Sequence, residues 1–151
     1  MQKDSWIIYP TARKSAGYTQ ERASDLLLVS VGSLRDYETG VRLPPDDVVA
    51  RMVEIYGTPF LAYQHLRLSA ELSRAILPEI REESLPQAVV RLICRMQEFM
   101  ARERTQDLLK ISEDGMIDLV ERPVFNEILG ELDEIVRASL TLRYSKDYGR
   151  E

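Results

Sequence analysis

The sequence predicts an all-α chain, and three observations predict it. Apolar residues recur at spacings of three and four along most of the 151 residues. No alternating apolar and polar run is bounded by a hairpin turn such as Asn-Gly or Asp-Gly. Thr and Ser, which cap helix starts, and Gly and Pro, which stop helices, punctuate the chain at short intervals.

Taken in order, a first helix covers part of Ile7 to Ser15, with Gly17 behind it as a stop and Pro10 limiting how early regular helix begins. Thr19 opens a second helix that runs to about Leu27, and Ser30 caps a third that ends before Gly40. Three short helices joined by such tight turns describe a helix-turn-helix core. Pro44-Pro45-Asp46-Asp47 starts a fourth helix, since proline suits the first turn and aspartate its positive end. That helix runs to Tyr56 and breaks at Gly57; a fifth follows from Thr58-Pro59 through Leu66. A short helix to Leu77, a break at Pro78 and a polar connector, Glu79 to Ser84, come next.

The remainder reads as a long helical hairpin. Val89, Leu92, Ile93, Met96, Phe99 and Met100 form one stripe on a helix from about Pro86 to Lys110. Phe125, Ile128, Leu132, Ile135 and Leu142 form another from about Arg122 to Arg143, and Ser112 to Gly115 supplies the turn. Two helices near 20 residues would each span about 30 Å. Their stripes need a partner: each other, the N-terminal module or a second chain. The expected organisation is therefore residues 1–67 as one domain and 68–151 as a hairpin that serves assembly.

Composition narrows the function classes. At 44% apolar and 30% charged residues the chain is globular in type, with no stretch near the roughly 18 apolar residues of a membrane helix. The start, MQKDSWIIYP, lacks a signal peptide's basic flank and apolar run, so a cytoplasmic protein without a membrane partner is expected. A lone cysteine, Cys94, offers neither an internal disulfide nor a zinc partner. The net charge of -5 counts against nucleic acid, but residues 1–67 carry eight basic and eight acidic side chains, so the acidity belongs to the C-terminal half.

The segment Arg13 to Gly40 resembles the Cro/CI-type (XRE-family, lambda repressor-like) helix-turn-helix regulators. The resemblance rests on Arg13, Gly17, Thr19, Gln20, Glu21, Leu27, Val29, Ser30, Glu38 and Gly40 at ungapped family offsets, with Leu34 in place of a core isoleucine. It covers about 45 residues, or 67 with the Pro-Pro-Asp-Asp helix. The run from Pro44 to His65 is similar to regulators encoded on phage and mobile elements. The sequence departs from the family at Leu28, where the turn usually carries glycine, and at Ser24, where a small alanine is usual.

The resemblance implies double-stranded DNA as the partner, bound by a homodimer. It implies a structural ion pair between Arg13 and Glu38, and Thr19 capping helix two so that its N-H groups and Gln20 meet a phosphate, with Gln20 also within reach of a base. Ser30 caps helix three, which the family lays in the major groove. Val31, Gly32, Ser33 and Asp36 would then face base edges while Leu34 and Tyr37 pack inward, and Arg35 and Arg42 would reach phosphates. That outward face lacks the Arg, Lys, Asn or Gln that usually read bases. A second reading stands beside the first: a protein-interaction adaptor that kept the scaffold and lost base readout.

Other candidates read as structural. Lys110 to Glu121 has an EF-hand-like glycine and carboxylates, but its first ligand position is a lysine. His65 has no second histidine and reads as a surface or packing residue; Cys94 reads as a small buried hydrophobe. Trp6 and Tyr9 read as cover for the core, Phe60, Tyr63 and Leu66 as core or dimer packing, and Glu131, Asp133 and Glu134 as a solvated face. With no phosphate loop, dinucleotide turn or catalytic triad pattern, neither an enzyme, nor a cofactor, a metal or a small-molecule ligand is expected.

Overall fold

The computed structural model of the chain describes residues 5–146. A 3-10 turn, Ser5–Ile7, leads into α1 (Ile8–Ser15), α2 (Gln20–Leu27), α3 (Val31–Thr39), α4 (Asp46–Tyr56), α5 (Phe60–Ser69), α6 (Glu71–Ile76), α7 (Leu85–Ala101), α8 (Arg104–Ile111) and α9 (Arg122–Arg143). The chain is all-helical, with no strand among the described residues; one isolated parallel bridge joins Ser84 and Lys146.

Two compact units divide between Pro78 and Glu79. The division expected at 67/68 falls inside α5. Beyond it, Tyr63 of α5 donates its hydroxyl hydrogen to the Pro78 carbonyl at 2.5 Å, tying the end of the first unit back onto itself.

In the first unit, Tyr9 of α1, Ala23 and Leu27 of α2, Leu34 and Tyr37 of α3, and Val48, Val49 and Met52 of α4 form one buried core with Tyr56 and Leu61. The spacing explains it: positions three and four apart share a helix face, so each helix turns one apolar row inward. Gly40 ends α3 with φ +76, and a Cβ there would stand 2.3 Å from the Trp6 indole. Glycine is therefore required at position 40 both by the left-handed backbone and by the aromatic ring lying on it. His65 is buried, bridging α1 and α4. The Tyr9 hydroxyl, kept protonated by burial, donates to Nδ1 at 2.8 Å, which in the neutral ring leaves Nε2 to donate to Asp46 at 2.9 Å.

The second unit departs from the expected hairpin. The single helix predicted from Pro86 to Lys110 is broken after Ala101, where Glu103 takes φ 55 and starts α8 in a new direction. No glycine or proline marks that break, so the periodicity of the flanking residues concealed it. α7 packs along α9, and their ends meet: the Leu85 N-H donates to the Lys146 carbonyl and the Lys146 N-H to the Glu83 carbonyl. The two helices therefore run antiparallel. Phe99, Ile111 and Ile128 form a small core, with Leu108, Phe125 and Ile135 packed against it. Two further expectations are corrected. Cys94 is exposed, because it lies on the outer side of α7 and away from Ala88 and Phe99. Glu131 is no free solvated carboxylate: it accepts from Arg102 at 2.8 Å and Arg104 at 2.9 Å.

Candidate nucleic-acid interface

The local chemistry that builds this site starts at two caps. The Thr19 hydroxyl accepts from the Arg22 N-H at 3.2 Å and the Ser30 hydroxyl from the Ser33 N-H at 3.0 Å, each fixing the entry of its helix. Between them the chain turns through Leu28, whose φ of 57 and ψ of 42 are left-handed. Leucine bears that strain with its side chain 84% exposed, so it gains no packing in return. The turn closes through the Leu28 N-H to Asp25 and the Val29 N-H to Ser24, and Arg51 of α4 caps α2 by donating to the Leu27 carbonyl. Ser24 fits the position usually held by alanine by donating to the Glu21 carbonyl at 2.8 Å.

An ion pair holds α3 against α1. Arg13 Nε and Nη2 donate to the two Glu38 oxygens at 2.6 and 3.0 Å, and Nη1 donates to the Tyr18 carbonyl at 2.7 Å. Both side chains are buried, and the hydrogen bond to Glu38 holds the Arg13 guanidinium even more firmly protonated than usual. Such a fork fixes orientation as well as distance.

With Leu34 and Tyr37 locked inward, α3 turns Gly32 and Arg35 fully outward and leaves Val31, Ser33 and Asp36 half-exposed beside them. Ser30 donates its hydroxyl hydrogen to Ser33 at 3.0 Å. Arg42 is exposed beyond the end of α3, its guanidinium 4.9 Å above the Tyr37 ring and donating to the Tyr37 hydroxyl at 3.2 Å.

Gln20 is placed differently from the expectation that it reaches outward. Its amide donates to Glu38 Oε2 at 2.7 Å, so it completes the ion pair from the other side. The first turn of α2 also carries its own carboxylate: Glu21 is held below the usual carboxylate range by its own backbone N-H and by the Thr19 hydroxyl. A phosphate arriving there meets a helix end already partly neutralised. Exposed Arg22, one turn into α2, is the cation that the sequence reading passed over; its signal was a basic residue three positions after a helix cap.

Residues 11–62, about a third of the chain, match the family model described as a helix-turn-helix domain. The first unit carries a helix-turn-helix domain. Neither the curated proteins nor the solved structures contain a match to the chain. The matched span begins inside α1 and ends inside α5, so it takes in the ion pair, the turn and all of α3. Among the described residues no group of three or more His, Cys, Asp or Glu side chains is placed to hold a metal ion, and no helix is long and apolar enough to cross a membrane.

Proposed function

We propose that the chain is a sequence-specific DNA-binding transcriptional regulator of the Cro/CI type, of phage or mobile-element kind, which acts in the cytoplasm as a homodimer and has no catalytic activity. The observation that supports this best is α3 itself. It is anchored from behind by Leu34, Tyr37 and Glu38, and it presents a side without large apolar residues that spans Gly32, Ser33, Arg35 and Asp36. A helix so held can enter a major groove as a rigid body.

In that pose the work divides by chemistry. Arg22, Arg35 and Arg42 neutralise phosphates. Ser33 and Asp36 face base edges, with Asp36 accepting from a cytosine amino group and Gly32 allowing close approach of the helix backbone. Gln20 steadies Glu38. Two copies are needed because four or five such contacts read too few base pairs for useful specificity.

The adaptor reading is favoured by one specific observation: Gln20, the residue best suited to read adenine, already gives its amide to Glu38. Selection from random DNA duplexes at low salt separates the two. Enrichment of a palindrome with half-sites one turn apart, with an affinity that falls steeply with salt and drops about tenfold for Ser33→Ala, is the expected result. Absence of enrichment at low salt would sink the regulator and leave the adaptor.

A further inference from the structure

The second unit has two unlike faces. At roughly 100° per residue, Ala88, Leu92 and Phe99 define the row of α7 that meets α9, and Ile128 and Ile135 the row of α9 that meets α7. Ile93, Met96 and Met100 form a second row on α7, about a third of a turn past the first, with Val90 at its outer edge. Leu129 and Val136 form a second row on α9, offset by the same angle in the same sense. Because the helices are antiparallel, equal offsets bring both second rows to one face of the pair. These six side chains are 43% to 62% exposed.

Three sets of ion pairs lie elsewhere. Arg91 pairs with Glu83 at 2.8 Å, Arg102 with Glu131 at 2.8 Å, and Arg104 with Glu131 and Glu127 at 2.9 and 3.1 Å. By the same angular count, the α7 and α9 members of these pairs point to the opposite face, along which the Glu79–Ser84 segment also runs. One face of the antiparallel pair is thus closed by ion pairs and chain, and the other is apolar at its centre, with exposed Arg122, Asp133 and Arg143 of α9 at its rim.

We infer that this apolar face is where a second copy of the chain docks, so that the α7–α9 pairs of two protomers form a four-helix bundle about a two-fold axis. The inference rests on the dimeric reading above and names the surface that reading needs. Size supports it: the six side chains expose on the order of 500 Å2, near the top of what a lone protein leaves in one patch. With a polar rim this approaches the ~800 Å2 each partner contributes to a standard stable interface. Charge supports it too. The α7 side of the face carries no charged side chain, so residues close to a two-fold axis there, which meet their own counterparts, pack and do not repel.

Sedimentation equilibrium of the full chain, with helical ellipticity recorded on each variant, tests this. The full chain is expected at dimer mass at tens of micromolar. Ile93→Glu and Val136→Glu are expected at monomer mass with unchanged ellipticity, because both sites are half-exposed within one protomer. Asn126→Glu, which adds the same charge on the outer side of α9, should remain a dimer. A monomeric parent, whether because the first unit of the same chain covers the face or because nothing does, would overturn the inference, as would a dimer that survives both substitutions. Binding of the same samples to random-sequence duplex at low salt keeps the two readings apart. A dimer without DNA affinity loses the regulator and keeps this interface; a monomeric parent that binds DNA does the reverse.

Discussion

The two units dispose of their apolar residues in opposite ways. Among the described residues the first packs ten buried hydrophobic side chains around Leu34 and Met52 into a single cluster; the second joins three, Phe99, Ile111 and Ile128, and buries Ile80, Ala88 and Ala138 apart from them, while Met96, Met100, Leu129 and Val136 remain half-exposed. Burial of apolar area is the main favourable term in folding. The first unit therefore carries its stability within itself, whereas the second holds a small core together with charged clamps and leaves apolar surface over. The lesson is that a high apolar content says how much surface wants burial and not whether one chain supplies the cover.

The largest break in this comparison is expected from Leu34→Ala. Removing a fully buried leucine should cost the first unit about 3 kcal/mol or more. The only tryptophan, Trp6, packs against that core, so its fluorescence during urea unfolding reports on it. Ile128→Ala should cost the second unit about 2 kcal/mol, given its sparser surroundings, and leave the Trp6 transition where it was. A Trp6 midpoint that moves equally for both would show that the units unfold as one.

Glu38→Gln comes next. It leaves the Arg13 guanidinium buried without its charge partner, at a cost of about 2 kcal/mol, again read from Trp6. The corresponding clamp in the second unit is exposed to acid. Its arginines hold Glu131 below the ordinary value of 4.5, so this contribution is complete above that pH and is lost as pH falls through the lowered value. Helical ellipticity of the second unit should decline on acidification below about pH 4.5, and Arg104→Gln should flatten that decline; an identical acid limb in the variant would show that the pair contributes nothing.

The smallest effects sharpen the comparison from the side of the backbone, since among the described residues each unit holds one non-glycine residue at positive φ, Leu28 and Glu103. Leu28→Gly and Glu103→Gly relieve that strain and raise the entropy of the unfolded chain, for a net gain of about 0.5 kcal/mol each. Thermal midpoints one or two degrees higher are the expected readout, and a lower midpoint would mean that the turn depends on the side chain.

Much of the first unit could be read in advance because its instructions are local. Thr19 and Ser30 cap, Gly40 and Gly57 stop, and Arg13 meets Glu38 at positions the family resemblance implied. The second unit is governed by contacts far apart in sequence. The break at Glu103 has no local breaker, and it places Arg104 against Glu127 and Glu131, a tertiary preference that periodicity cannot report. Cys94 was misjudged for a related reason: α7 has apolar residues over much of its circumference, and only the position of α9 says which of them are covered. At the candidate site the inward residues were legible, whereas the engagement of Gln20 by Glu38 was not, because a long polar side chain chooses its partner only when the fold is complete.

The bridge between Ser84 and Lys146 has a consequence in time. It joins the start of α7 to the residues just past the end of α9, so the second unit cannot close until nearly all of it has been synthesised. The helices of the first unit find most of their partners close by in sequence and can pack while α9 is still being made. In a living cell the surface that would contact DNA is therefore complete before the surface that would pair two copies, and single protomers exist for at least as long as the ribosome takes to reach Lys146.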